Sequence, residues 1–387
     1  MRGEGLCLAP RPVAAAAAVA LACLAIVPVR AAGAEAGWLR LLEQNRPLAA
    51  VRELERTPEL AQVHAQASVF IGDEAPSCGL FGRLELPDGV EYRDALPAIA
   101  DLARDRRVVM LNESHFRGVH RAFLSRLVTV LDGLGFDALA AEAFTPTAPE
   151  RLRDSTPDTG SGFYLADPLF AAAIRRARAL GWEFVHYEAE AAADRASREA
   201  AQARRLADWL AANPGRRLLV HAGGSHVSEA ADEGWMAARL AAATGLDPLT
   251  VRQSATACAG QAGAWPVDAG HALVPFRGGR PLAVAGTDLA VVHPPAAVAA
   301  ARQVLGAPVD VCVTPVAQAA LLRAFREDDG PLAIAHDQQL LAADADRVRL
   351  HLGPGRYRIE REAGGRLPLG LIEVPDDAGG TCLQPES

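Results

Sequence analysis

Acidic and imidazole side chains follow four short apolar segments of the 387-residue chain. Glu113 and His115 come after the first segment, Glu142 after the second, Glu188 after the third and His226 after the fourth. Glutamate and histidine that lie close together shift each other's pKa and share general acid–base work. The same oxygen and nitrogen donors also bind divalent metal ions. We therefore expect a site in which four residues are catalytic or, if a metal is bound, are its ligands: Glu113, His115, Glu142 and His226.

Further residues near these segments are candidates for binding a substrate or ligand. Tyrosine is an axial haem ligand in some proteins, so Tyr187 is either such a ligand or a core residue with a satisfied hydroxyl. His120 either faces the site or lies on a helix surface, and Arg198 either binds an anionic group or is a solvated helix residue. Two glycines permit a tight turn and a close approach of the backbone to a ligand. The candidates for ligand binding are His120, Tyr187, Glu188, Arg198, Gly223 and Gly224.

The elements that must position these side chains alternate between strands and helices. Helical patterns separate the apolar segments, and this alternation is typical of βαβ units with a parallel sheet. In an open parallel sheet, ligands bind beyond the carboxyl ends of the strands, where the four polar groups would meet. The sequence thus predicts an α/β fold with helices on both faces of a mainly parallel sheet. The predicted strands are residues 107–111, 137–141, 182–187, 217–220 and 249–251.

Three regions are predicted for the mature chain. Residues 37–103 are expected to form an N-terminal helical and loop region, and residues 104–255 the α/β core. Residues 256–387 are less regular and are expected either to extend the sheet or to form a small subdomain. Within this last region, apolar segments at 348–352 and 356–361 flank a Gly-Pro-Gly turn and predict a β-hairpin.

The first 36 residues are typical of a secretory signal peptide. A positively charged start precedes an apolar run from Val13 to Val27, and small residues suited to cleavage follow it. The run is shorter than the roughly 20 residues that a membrane span requires. We therefore expect a periplasmic or secreted protein without a membrane span after signal removal, with a lipoprotein anchored at Cys23 as the alternative.

The mature chain contains an even number of cysteines. In an oxidising compartment, such a set predicts up to two disulfides with three possible pairings, or else buried thiols. No C-x-x-C pair occurs, which argues against a cysteine zinc site. The four cysteines are Cys78, Cys258, Cys312 and Cys382.

Composition excludes several classes of function. The net charge of -8 argues against a nucleic-acid-binding surface. All 39 residues counted as lysine or arginine are arginines, so a Schiff-base lysine and a phosphate-binding lysine are both excluded. Ser225 is not part of a G-x-S-x-G motif, which argues against a serine nucleophile on a strand-to-helix turn.

Over about residues 104–255, the sequence resembles a known superfamily. Its members are the ChaN-like haem-binding uptake proteins, the erythromycin esterases and the TraB/Tiki metalloproteases. The spacing of the first Glu/His pair is similar to that of the ChaN-like branch, whereas Asn112 replaces a glycine that is usual in the family. The similar residues are Glu113 with His115 in the early motif, Glu142 at the close of the next strand, Gly223 with His226 in the late Gly-x-x-His, and Arg198 with Gln202 on the preceding helix.

The resemblance implies two different functions. One is an exported hydrolase, with or without a divalent metal, that acts on a small-molecule or peptide substrate. The other is a haem- or iron-binding uptake protein without catalytic turnover. The substrate, the choice between metal and haem, and the oligomeric state stay open at this point.

Overall fold

The structure of the chain is a computed structural model. It describes residues 37–77, 86–189, 191–254, 269–376 and 382–386. The predicted signal peptide and the cysteines Cys78 and Cys258 lie outside the described residues. In the described part of the chain, no helix is both long enough and apolar enough to cross a membrane.

A mixed, mostly parallel sheet forms the centre of the fold, as the sequence predicts. Its strands are β1 Glu91–Asp94, β2 Val108–Glu113, β3 Ala138–Ala141, β4 Glu183–Val185, β5 Leu218–Gly223, β6 Leu249–Ser254, β7 Leu273–Arg277, β8 Arg280–Pro281 and β9 Leu289–Val292. They hydrogen-bond in the order β1-β7-β9-β6-β2-β5-β3-β4, with β8 beside β7. The strands from β9 to β4 are parallel, whereas β1 and β7 are antiparallel to their neighbours.

Alternate residues of β2 enter two separate apolar clusters. Val109 and Leu111 pack with side chains of α5 (Gly118–Asp132) and α7 (Pro168–Ala179), whereas Val108 and Met110 pack with side chains of α8 (Arg195–Ala212) and α9 (Met236–Thr244). This period of two is expected for a strand that is buried on both faces. The helices are α1 Gly37–Glu43, α2 Pro47–Glu55, α3 Ala61–Ser68, α4 Ala95–Ala103, α5 Gly118–Asp132, α6 Ala148–Asp154, α7 Pro168–Ala179, α8 Arg195–Ala212, α9 Met236–Thr244 and α10 Pro295–Ala299.

Polar side chains cap the N-termini of helices α7 and α8. The Asp167 side chain accepts a hydrogen bond from the Leu169 amide at the start of α7, and Asp194 with Ser197 forms a capping box at the start of α8. The predicted helical stretch near the N-terminus is interrupted, because Asn45 has a φ of 58° and Pro47 begins a new helix.

The C-terminal part both extends the central sheet and forms antiparallel sheets of its own. Strands β7, β8 and β9 join the central sheet, and the remaining strands form a two-stranded and a four-stranded sheet around a shared apolar cluster. These strands are β10 Ala307–Cys312, β11 Ala320–Arg326, β12 Asp337–Leu341, β13 Arg347–Leu352, β14 Gly355–Glu362 and β15 Arg366–Val374. They hydrogen-bond in the orders β10-β13 and β12-β11-β14-β15.

The β-hairpin predicted at residues 348–352 and 356–361 is wrong. Both segments are strands, but β13 pairs with β10 whereas β14 pairs with β11 and β15. Side chains of β13 and β14 instead meet in the apolar cluster between the two sheets. Burial of these side chains therefore favours separate sheets over a hairpin in which β13 pairs with β14. The hairpin of this region is β14–β15. The one disulfide in the described residues joins Cys312 and Cys382, which is one of the pairings that the sequence leaves open.

Candidate active site

The carboxyl ends of β2, β3 and β5 lie side by side and collect the predicted residues. β5 pairs in parallel with both neighbours, and Glu113 is level with Gly223. Glu142, which follows β3, accepts a 2.5 Å hydrogen bond from the Gly223 amide. The structure thus brings four predicted residues together at one edge of the sheet: Glu113, His115, Glu142 and His226.

Glu113 is a buried carboxylate that an arginine holds in place. Arg121 of α5 donates from Nε to Oε2 at 3.0 Å and from Nη2 to Oε1 at 3.1 Å, and it donates to Asp167 at 2.9 Å. Burial alone would raise the pKa of Glu113, but Arg121 and His115 outweigh burial and hold the pKa well below its ordinary value. Glu113 is therefore ionised at neutral pH and is suited to orient a neighbour rather than to exchange protons.

His115 is oriented by Glu113 and by a tyrosine ring. Its Nδ1 lies 2.7 Å from Oε1 of Glu113, and because an ionised carboxylate only accepts, Nδ1 carries the proton. Tyr164 stacks on the imidazole with ring centroids 4.1 Å apart and planes inclined by 8°. A Cβ placed on Gly223 would meet Nε2 at 2.6 Å, so the ring edge lies against the backbone of β5. The side chain is 19% exposed, so the imidazole is not sealed from solvent.

Arg198 of α8 joins two carboxylates. It donates to Oε1 of Glu142 at 2.6 Å and to both oxygens of Glu188, one of them at 3.0 Å. Gln202, one turn further along α8, donates to Glu188 at 3.0 and 3.1 Å. Arg198 is only 9% exposed, so the alternative of a solvated helix residue is wrong. The carboxylate partners of its guanidinium are therefore Glu142 and Glu188 of the same chain.

His226 lies among two carboxylates and the Arg198 guanidinium. Its Nδ1 is 2.9 Å from Oε2 of Glu199, and its Nε2 is 3.5 Å from Oε1 of Glu142 and 3.3 Å from Nη1 of Arg198. Burial alone would lower the pKa of His226, but Glu142 and Glu199 outweigh burial and raise the pKa to about 10. His226 is therefore an imidazolium at neutral pH and adds a second fixed positive charge.

Two of the predicted ligand-binding residues are structural. Tyr187 is fully buried and its hydroxyl donates to the His221 carbonyl at 3.0 Å, which agrees with the alternative of a core residue with a satisfied hydroxyl. His120 is also fully buried, and its Nδ1 accepts a hydrogen bond from the Ser114 amide at 2.9 Å. It lies neither on a helix surface nor in the crevice, and it fixes the turn that carries His115.

The two predicted glycines shape the end of β5. Gly223 makes room for the imidazole of His115, which a side chain at this position would displace. Gly224 has a φ of +45°, which favours glycine, and its amide donates to the Glu113 carbonyl at 3.1 Å. The tight turn is therefore present, but the close approach of the backbone is to His115.

The predicted metal ligands do not fit a cation site. Both oxygens of Glu113 accept from Arg121, and Glu142 is taken by Arg198 and by the Gly223 amide. An imidazolium has no lone pair for a metal, so the charge on His226 also disfavours coordination. Throughout the described ranges, no group of three or more His, Cys, Asp or Glu side chains is arranged to hold a metal ion. The carboxylates of Glu113 and Glu142 bind the guanidinium groups of Arg121 and Arg198 instead of a metal ion.

Three residues of the site escape the sequence pattern because they lie on helices rather than at strand ends. Arg121 and Glu199 are fully buried on α5 and α8, and Tyr164 lies on a short 3₁₀ helix, Phe163–Ala166. The position of Glu199 could have been recognised from the sequence, because the residue lies on the same buried face of α8 as Ala203 and Leu206. A charged residue on an apolar stripe requires a buried partner, and that partner is His226.

No protein-family model matches the sequence, and no curated protein matches it. Among solved structures, the chain is similar to the type III effector HopBA1 at 13% identity and a TM-score of 0.36, over 54% of this chain and 97% of that chain. It is similar to a structure described as bacterial protein toxins at 18% identity and a TM-score of 0.31, over 41% of this chain and 36% of that chain. It is also similar to RRSP, a MARTX toxin effector domain from Vibrio vulnificus CMCP6, at 19% identity and a TM-score of 0.26, over 34% of this chain and 30% of that chain. The matched regions span 36% and 30% of these two toxin chains.

Proposed function

We propose that the protein is a hydrolase in which His115 is the general base and Glu113 is its orienting carboxylate. The observation that carries the proposal is the 2.7 Å contact between His115 Nδ1 and Glu113, which leaves Nε2 to accept a proton. Carboxylates that hold the tautomer and orientation of a catalytic imidazole are a recurring device in hydrolases. Because Arg121 keeps Glu113 ionised, the proton transfer is assigned to His115 alone.

Water is the nucleophile in this proposal. Within the described residues, His115 has no hydrogen bond to a hydroxyl or thiol that could be a covalent nucleophile. His115 Nε2 takes a proton from water as the water oxygen attacks the carbonyl carbon of an ester or amide. The same proton then passes to the leaving alcohol or amine as its bond to the carbonyl carbon breaks.

We assign Arg198 and His226, whose charges Glu142, Glu188 and Glu199 balance, as the groups that face the carbonyl oxygen of the substrate. Negative charge develops on the carbonyl oxygen during attack, and fixed cations beside that oxygen stabilise the transition state. Glu142 lies within 2.6 Å of Arg198 and 3.5 Å of His226, so its role is to position the two cations. Glu188 binds Arg198 from the other side and belongs to the same positioning set.

Hydrolysis is favoured over haem uptake because the suggested haem ligand, Tyr187, already donates its hydroxyl to the chain. The substrate class is a small-molecule or peptide ester or amide. We also propose that the protein is exported to the periplasm or secreted. The Cys312–Cys382 disulfide supports this location, because disulfides persist in oxidising compartments.

Hydrolysis of a panel of esters and peptides tests the proposal. We expect His115→Gln to lower kcat/KM by about 100-fold or more, because general-base catalysis contributes about 10²–10⁴-fold. His64→Gln on α3 is the matched control and should keep wild-type activity. Equal rates for His115→Gln and the wild type would overturn the proposal. A Soret band on titration with haem, without turnover of any substrate, would favour the uptake function.

A further inference from the structure

His221 is a buried imidazole to which the reaction described above gives no part. It lies within β5, level with Leu111 of β2 and Ala141 of β3, and its side chain is 2% exposed. The ring packs edge-on against Phe170 of α7, with ring centroids 5.0 Å apart and planes inclined by 69°. Because the ring is enclosed by the fold, a substrate in the crevice would not touch it.

The Nε2 atom of His221 is buried and has no hydrogen-bond partner among the described residues. A buried polar atom without a partner costs stability, so its presence in a core requires a reason. This atom lies 3.5 Å from Oε2 of Glu113, which is about 0.5 Å longer than an ordinary N–H···O hydrogen bond. Because an ionised carboxylate only accepts hydrogen bonds, we expect Nε2 to carry the ring proton and to offer it to Glu113.

The carboxylate of Glu113 has room for this donor. Its Oε1 accepts from His115 and from Arg121, whereas its Oε2 accepts only from Arg121 in the described part of the chain. A carboxylate oxygen has lone pairs for two donors. Arg121 also divides its donors between Glu113 and Asp167, so it does not serve Glu113 alone. His221 is thus placed to complete the hydrogen bonds of Glu113.

Burial keeps the ring of His221 uncharged. It lowers the pKa of His221 to about 4, although Glu113 attracts the protonated form. A protonated His221 would compete with His115 for the negative charge of Glu113. A neutral donor holds the carboxylate and leaves this charge to the imidazolium that His115 becomes when it takes a proton.

We propose that His221 is a second positioning residue for the general base: its Nε2–H donates to Oε2 of Glu113 and so holds Oε1 towards His115. This inference rests on the proposed hydrolase function. Catalytic hydrogen bonds that are long in a free enzyme often shorten when the substrate binds. We therefore expect the 3.5 Å contact to become a hydrogen bond in the substrate complex.

Three substitutions of His221 separate this role from packing. The backbone should stay in place in each of them, because the His221 carbonyl accepts from the Glu142 amide and the Tyr187 hydroxyl, each at 3.0 Å. Glutamine carries an amide donor at about the distance of Nε2 from the backbone, asparagine carries its donor closer to the backbone, and leucine fills a similar volume without a donor.

The measurement is the hydrolysis of the best ester or peptide by the full chain. We expect His221→Leu and His221→Asn to lower kcat by about 10-fold at unchanged KM, because loss of an orienting partner costs about 10–100-fold and the ring does not touch the substrate. His221→Gln should keep most of the wild-type kcat. The urea midpoint of His221→Leu should equal or exceed that of the wild type, because a buried polar atom without a partner has been removed.

Wild-type kcat in His221→Leu would overturn the proposal. A loss in His221→Leu that His221→Gln does not restore would also overturn it, because packing rather than the donor would then explain the loss.

A second readout, 15N NMR of the full chain, does not depend on turnover. The neutral ring of His221 should carry its proton on Nε2, and the fraction of His115 protonated on Nδ1 should fall in His221→Leu but not in His221→Gln. If these results hold and no substrate is hydrolysed, the hydrolase function fails while the positioning of Glu113 stands. A His221 ring protonated on Nδ1 would overturn the proposal whatever the activity.

Discussion

Substitution of Gly223 by alanine perturbs the position of the proposed general base. An added Cβ would lie 2.6 Å from His115 Nε2, 2.7 Å from its Cε1 and 3.1 Å from Glu142 Oε2. The imidazole has little room to move away, because Tyr164 stacks on it at 4.1 Å and Glu113 holds its Nδ1 at 2.7 Å. The added methyl group must therefore displace the ring from its hydrogen bond or distort the end of β5.

The size of the effect follows from these distances. Non-bonded carbon atoms attract best at about 3.5–4.0 Å, so the ring must shift by roughly 1 Å. Overpacking of this kind costs about 1–3 kcal/mol of unfolding free energy. A misplacement of about 1 Å at a reacting group lowers rates by about 100-fold. We therefore expect Gly223→Ala to be folded, less stable by about 1–3 kcal/mol and about 100-fold lower in kcat/KM.

Urea unfolding followed by circular dichroism measures the first quantity, and hydrolysis of the best substrate from the panel measures the second. Gly330→Ala is the control, because an added Cβ there meets nothing within 4 Å and should change stability by at most about 0.5 kcal/mol. If Gly223→Ala matches this control in both stability and activity, His115 does not lie against β5 and the assigned geometry is refuted.

Two further predictions concern the buried charges. Arg121→Met leaves Glu113 and Asp167 without their shared guanidinium and should lower the unfolding free energy by about 3–5 kcal/mol, as measured by urea unfolding. Arg153→Met removes an exposed ion pair and should not change the unfolding free energy measurably. Similar unfolding free energies for the two variants would contradict the buried network. The pKa of His226 is raised to about 10 in the folded state, against about 6.5 unfolded, so its stabilising effect is complete below about pH 6.5 and is lost as the pH rises towards 10. The unfolding free energy of the wild type should fall across that window and that of His226→Gln should fall less; equal slopes would assign the titration to another group.

The sequence was sufficient for the five parallel strands β2 to β6 of the central sheet. The short apolar segments and the helical patterns between them are local signals, which can be recognised without knowledge of the partners that each segment contacts. Because parallel strands end at a common edge, the sequence pattern alone predicts that Glu113 and Glu142 lie near each other.

The parts that the sequence could not give depend on contacts between distant segments. Glu113 and His115 looked equivalent as acid–base groups, and only the 0% exposed Arg121 on α5 separates their roles. The residue type of Tyr187 allows either a ligand role or core packing, and the sequence could not show the bond of its hydroxyl to the His221 carbonyl, which favours packing. The hairpin prediction failed for the same reason, since the partners of β13 and β14 are set by burial across two sheets.

The protonation of the two ring nitrogens of His115 tests most directly whether Glu113 orients this imidazole as a general base, and 15N NMR of the full chain measures it. We expect the neutral ring to carry its proton on Nδ1, with Nε2 unprotonated, and we expect Glu113→Gln to weaken this preference. A ring protonated on Nε2, or a tautomer that does not respond to Glu113→Gln, would show that Glu113 does not orient His115 for base catalysis.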